Sequence, residues 1–246
     1  MKSQDFKFTS GVVGYPMLFG LLIWYVFWID KEFGLGLKSF GIRPLELEGL
    51  IGIVMSPFLH GDVGHLWNNT IPLMVLSAAL FYFYRTISWK VLGYGILLSG
   101  FFTWLIGGYG NHIGASGLIY VLASFIFFKG ILAKNYRLIA LSMLVVFLYG
   151  SMIWYIFPVK PGMSWEGHLS GAVTGLLFAV LYRRAIIQPK QYVWEDENYD
   201  EDNDPFMQHF DEEGNFVSES EQKRMEELEE IERIQEQWRQ NQDHTL

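Results

Sequence analysis

No cysteine occurs among the 246 residues, which excludes a disulfide framework and thiolate metal sites. The zinc-protease pattern His-Glu-x-x-His is also missing, as is a small-residue cleavage site after the first apolar run. Acidic side chains are scarce over most of the chain: residues 1–188 hold 7 Asp and Glu against 13 Lys and Arg. Residues 189–246 reverse this, with 19 against 5. The mean hydropathy of +0.19 therefore averages two unlike materials. Residues 1–188 read as an all-α polytopic membrane domain, and residues 189–246 as an acidic soluble tail that cannot build a core of its own.

What is present in the first part is a series of apolar runs close to the length that crosses hydrocarbon. They cover residues 12–29, 66–84, 91–107, 113–128, 138–157 and 168–182, so six transmembrane helices are expected. Lys and Arg in short loops orient such helices. With the N-terminus cytoplasmic, Lys2, Lys7, Arg85, Lys90, Lys129, Lys134, Arg137, Arg183, Arg184 and Lys190 fall on that side. Lys31, Lys38, Arg43 and Lys160 fall on the other. The bias places both termini in the cytoplasm. It also means that spans two, four and six begin at the outer face.

The unusual polar residues gather at those beginnings. Ser116, within Gly114-Ala115-Ser116-Gly117, opens span four. Small neighbours let a substrate approach the hydroxyl, and free N–H groups at a helix start suit a developing oxyanion. Taken alone, the tetrapeptide fits helix packing better than catalysis. His168 opens span six, one turn before Gly171 and Gly175, a G-x-x-x-G face that permits close helix contact. If span four is the neighbour, the imidazole reaches Ser116. A histidine merely hydrogen-bonded at the interface fits as well.

His65 and Asn69, spaced i and i+4 at the start of span two, share one helix face. Both donate hydrogen bonds of the kind a tetrahedral intermediate needs. His60, five residues earlier, is placed to brace the loop or tie His65 down. Tyr120 lies one turn after Ser116, so its ring can lie beneath an imidazole; a lipid-facing aromatic is the alternative. Glu166, two residues before His168, reads as a solvated interfacial charge. Paired histidines suggest zinc, yet no carboxylate shares their spacing. No metal or organic cofactor is implied, and water would be the second substrate.

His-x4-His-x3-Asn on span two, Gly-x-Ser-Gly with Tyr four residues on, and His-x2-Gly-x3-Gly on span six resemble the rhomboid intramembrane serine proteases over about residues 10–185. The resemblance implies a six-helix rhomboid-like bundle and a Ser116–His168 dyad, serine as nucleophile and histidine as base then acid. It implies an oxyanion hole of His65, Asn69 and backbone N–H groups, with Tyr120 supporting His168. His60, Gly114 and Gly117 are counted as supporting residues. It further implies single-span membrane proteins as substrates and a bacterial cell membrane as the location, with no part for nucleic acid. The Trp-Arg pair frequent between spans one and two of bacterial members is absent; Gly41-Ile42-Arg43-Pro44 stands in that loop. A catalytically silent, client-binding relative is the competing reading. A transporter fits less well, since its ionisable groups would lie near the midplane.

In the tail, residues 194–215 are expected to be disordered. Met225, Leu228, Ile231, Ile234 and Trp238 recur at helical spacing, which predicts a short amphipathic helix over 219–238. A partner-docking segment and a solubilising tail fit it equally, and no tail-binding protein is identified.

Overall fold

The computed structural model describes residues 8–133, 135–160, 162–183, 192, 198–200, 203–211 and 213–243. The chain divides into two compact units, Met1–Pro189 and Lys190–Leu246. The 188/189 division expected from charge lies outside the described residues.

Among the described residues the first unit is helical: α1 Ser10–Phe33, the short α2 Gly52–Met55, α3 Val63–Phe83, α4 Ser88–Ile106, α5 Ser116–Leu132, α6 Tyr136–Tyr149 and α7 Trp165–Leu181. α1, α3, α4 and α6 with its 3-10 continuation (Tyr136–Ile156) are long and apolar enough to cross a membrane. α5 and α7 have 17 residues each, about 25 Å at ~1.5 Å per residue. Large apolar side chains such as Leu18, Leu21, Phe147 and Leu181 remain exposed on these helices.

Helix limits differ from the hydropathy windows, and local chemistry explains each shift. α1 runs to Phe33 because Gly34, at φ 61, closes it with an N–H donated to the Asp30 carbonyl. α3 begins at Val63 since the Asp62 carboxylate caps the His65 N–H at 2.9 Å. Ser164 does the same for the Gly167 N–H at 3.2 Å, so α7 begins three residues before His168. Gly114, at φ 112, delays the start of α5 to Ser116 itself. The 30–57 loop is more structured than expected, with a short apolar helical segment over Leu47–Phe58.

α5 is the central helix. Leu118 through Leu122, Phe125, Ile126 and even Lys129 are buried. The Lys129 ammonium donates to the Tyr182 carbonyl at the end of α7. α5 and α7 share the most extensive helix–helix contact of the unit. Its cause is the glycine pair: a Cβ on Gly171 would fall 2.2 Å from the Gly117 carbonyl oxygen, and one on Gly175 2.4 Å from that of Val121. Only hydrogen fits at either position.

The second unit departs from the expected disorder. Residues 194–197, 201, 202 and 212 lie outside the described residues, but their neighbours form a small turn structure. Asp204 accepts the Tyr199 hydroxyl at 2.7 Å and the Phe206 N–H at 2.8 Å. An isolated bridge joins Phe210 to Phe216, with Phe206 and His209 against the same rings. These few aromatics supply a nucleus that the acidic composition obscures. Ser218 and Glu221 then form a reciprocal capping box that starts α8, Glu219–Asp243, five residues longer than expected. Met225, Leu228, Ile231, Ile234 and Trp238 are exposed on it.

Candidate active site

Ser116 is the first residue of α5, and the loop before it is held by a Gly114 N–H donated to the Ser56 carbonyl at 2.9 Å. His168 sits in the first turn of α7. Close α5–α7 packing brings its Nε2 to 3.0 Å from Ser116 Oγ. Its Nδ1 lies 2.9 Å from the Tyr155 carbonyl oxygen. A carbonyl only accepts, so Nδ1 carries the proton and Nε2 is left with a lone pair facing the serine hydroxyl. Tyr120 lies flat against the imidazole, centroids 4.4 Å apart and planes 13° from parallel. The tyrosine hydroxyl donates to the Met152 carbonyl at 2.6 Å. Both carbonyls belong to the 3-10 turn Gly150–Ile156 that continues α6.

Asn69 and His65 face this pair from α3. Asn69 donates one amide hydrogen to the His65 carbonyl at 3.0 Å, which leaves its second N–H for another acceptor. A Cβ on Gly114 would stand 2.6 Å from His65 Nε2 and 3.5 Å from Asn69 Nδ2. The two side-chain nitrogens therefore converge over the backbone two residues before Ser116, and Gly114 must be glycine on grounds of both space and φ. Gly117 is under less constraint, since a Cβ there would find ordinary contact at 3.6 Å.

His60 is buried with its ring edge-on to His65, centroids 5.1 Å apart. Its Nδ1 lies 3.4 Å from the Phe58 carbonyl oxygen, while its Nε2 has no partner among the described residues. Burial, then the nearby His65, pushes its pKa down to about 4. Asp62 is held below the usual carboxylate range, chiefly by the His65 N–H.

Ser116, His168, Tyr120, His65 and Asn69 all line one cavity of about 790 Å³, with Asp62 and Lys160 also on its wall. A second cavity of about 40 Å³ lies behind the serine, walled by Ser99, Thr103 and Gly117 among others. Among the described residues no group of three or more His, Asp or Glu side chains is placed to hold a metal ion.

Glu166 corrects the expectation of a solvated charge. It is 9% exposed, and its Oε1 accepts the Gly108 N–H at 3.0 Å. The reason is that Ser164 starts α7 early, so Glu166 lies inside the helix and faces the end of α4. Sequence reasoning also passed over His112, four residues before Ser116, which bonds Ser164 and Gly108. An unassigned histidine so near the serine was the available signal. The backbone acceptors at Met152 and Tyr155 had none, because carbonyls carry no residue identity.

The sequence matches the Rhomboid domain over residues 47–185. An uncharacterized protein of Mycobacterium tuberculosis is 38% identical over 197 residues, covering 73% of this chain and 79% of its own. A Mycobacterium bovis protein, also uncharacterized, gives the same figures. One from Mycobacterium leprae is 34% identical over 181 residues, 67% of this chain and 69% of its own. With the domain match spanning more than half of its length, the chain belongs to the rhomboid family.

Proposed function

We propose that this protein is an intramembrane serine endopeptidase that cleaves membrane-spanning segments of other proteins. One observation carries the reading: the Ser116 hydroxyl lies 3.0 Å from the lone-pair nitrogen of a histidine whose ring is fixed on its face and on its far nitrogen. Ser116 Oγ attacks the scissile carbonyl carbon as its proton passes to His168 Nε2. The resulting oxyanion is met by N–H groups at the start of α5 and by His65 and Asn69. His168 then protonates the departing amine and the peptide C–N bond breaks, leaving an acyl ester on Ser116. Water, deprotonated by the same nitrogen, hydrolyses the ester and restores the serine. The Tyr155 carbonyl takes the orienting place that a carboxylate holds in soluble triads.

All six apolar helices α1 and α3–α7 cross the bilayer in this reading, with both termini cytoplasmic in a bacterial cell membrane. The cavity then opens toward the outer face, admits water, and receives the unwound end of a single-span substrate. The competing reading, a silent client-binding relative, is disfavoured by the intact serine–histidine pair. Incubating detergent-solubilised protein with a single-span reporter substrate separates the two. Cleavage by wild type and none by Ser116→Ala is expected; binding without cleavage by wild type would establish the alternative.

A further inference from the structure

Two segments hold the reacting pair: the 107–115 loop leading into Ser116, and the first turn of α7 that carries His168. They are fastened together at two points. Glu166 Oε1 accepts the Gly108 N–H at 3.0 Å. His112 Nδ1 lies 2.5 Å from Ser164 Oγ, and its Nε2 lies 3.1 Å from the Gly108 carbonyl oxygen. That carbonyl can only accept, so Nε2 carries hydrogen, and in the neutral ring the Ser164 hydroxyl donates to Nδ1. Ser164 Oγ meanwhile accepts the Gly167 N–H, and the Ser164 carbonyl accepts the His168 N–H at 3.3 Å. The histidine backbone is thus bonded to the residue that His112 grips. His112 is itself pinned by a two-way backbone bridge to Ile42, 2.9 Å each way.

We propose that Glu166, His112 and Ser164 form a clasp that sets the distance and angle between Ser116 and His168, which makes Glu166 and His112 positioning residues for the reaction. The role rests on the peptidase reading above. None of the three is bonded to the Ser116 hydroxyl or the His168 ring; each acts through backbone. A buried carboxylate whose one hydrogen bond among the described residues is to a glycine N–H is a costly way to fasten a loop, and the cost makes sense where small displacements matter. A misplacement near 1 Å lowers turnover about 100-fold.

The test uses full-length protein in detergent, the single-span reporter and a fluorophosphonate that labels the serine. Glu166→Ala and His112→Phe are expected to lower kcat by about 10–100-fold with KM changed less than about threefold. The phosphonate rate constant should fall in parallel. Glu166→Gln, whose amide oxygen still accepts the Gly108 N–H, should restore most of both. Because a rate constant does not depend on how much protein is folded, a poorly folding variant still decides the matter. Less reactive protein at an unchanged rate constant would mean the clasp only stabilises, and overturns the proposal. So would Glu166→Gln as impaired as Glu166→Ala. Unaltered variants beside an active wild type overturn the clasp alone, whereas an inert wild type overturns the peptidase reading and the clasp with it.

Discussion

At the scale of single residues, the proposed function makes Ser116 and His168 one device, so losses should not add. Ser116→Ala and His168→Ala are each expected to abolish cleavage, the double variant doing no worse, with thermal stability near wild type. Asn69→Ala should lower kcat by about 100–1,000-fold while substrate still binds, as loss of one oxyanion donor does in soluble enzymes. Wild-type turnover in that variant would reduce Asn69 to the helix-bonding role it already has with the His65 carbonyl. His60 supplies a pH prediction. Its pKa falls from 6.5 to about 4 on folding, so the folded protein keeps it neutral while the unfolded chain takes up a proton. The stability it contributes is full above pH 6.5 and is lost as the pH falls toward 4. Melting curves between those limits should show a shallower pH dependence for His60→Gln than for wild type; equal slopes would assign the acid sensitivity elsewhere.

At the scale of elements, the α5–α7 seam decides whether there is a site at all. Gly175→Val would drive a side chain into the Val121 carbonyl and the Phe125 N–H, and is expected to cost at least about 1–3 kcal/mol, the usual overpacking penalty. Gly117→Ala, facing ordinary contact distances, should stay within about 0.5 kcal/mol. Thermal unfolding in detergent distinguishes them, and similar melting temperatures would mean that the helices shift freely. The seam was legible in the sequence because G-x-x-x-G has a direct steric meaning, and that spacing led from His168 to Ser116. Tyr120 was legible for a similar reason, one turn being a fixed offset. Glu166 was misread because its burial depends on where α7 begins, which Ser164 decides and hydropathy does not register. The helical turns within 30–57 were hidden too: they are held by tertiary bonds, such as the Trp104 indole N–H to the Glu46 carbonyl, 2.9 Å.

At the scale of the whole molecule, the chain couples a membrane unit that holds every member of the candidate site to a second unit that contributes none of them. Deleting residues 194–246 should therefore leave cleavage of the reporter within about threefold of wild type, allowing for small general effects on stability. A properly folded truncation that fails to cleave would show that the second unit governs assembly or access. The division also explains why overall composition misleads. The net charge of −8 is the sum of −14 on residues 189–246 and +6 on residues 1–188, so the membrane unit around the site is net basic.

The hydrogen bond from His168 to the Tyr155 carbonyl has a consequence that begins three residues further on. A 3-10 turn would claim that carbonyl with the N–H of residue 158, and residue 158 is proline, which has none. The next N–H, from Val159, goes to Phe157 at 2.8 Å. Pro158 has no N–H with which to carry the 3-10 turn onto that carbonyl, so no backbone donor from residue 158 competes with the imidazole for it. Pro158→Ala would introduce a rival donor. With one hydrogen bond netting about 0.5–1.5 kcal/mol, turnover should fall by up to about tenfold at unchanged KM. Turnover equal to wild type would show that the imidazole holds its partner against competition.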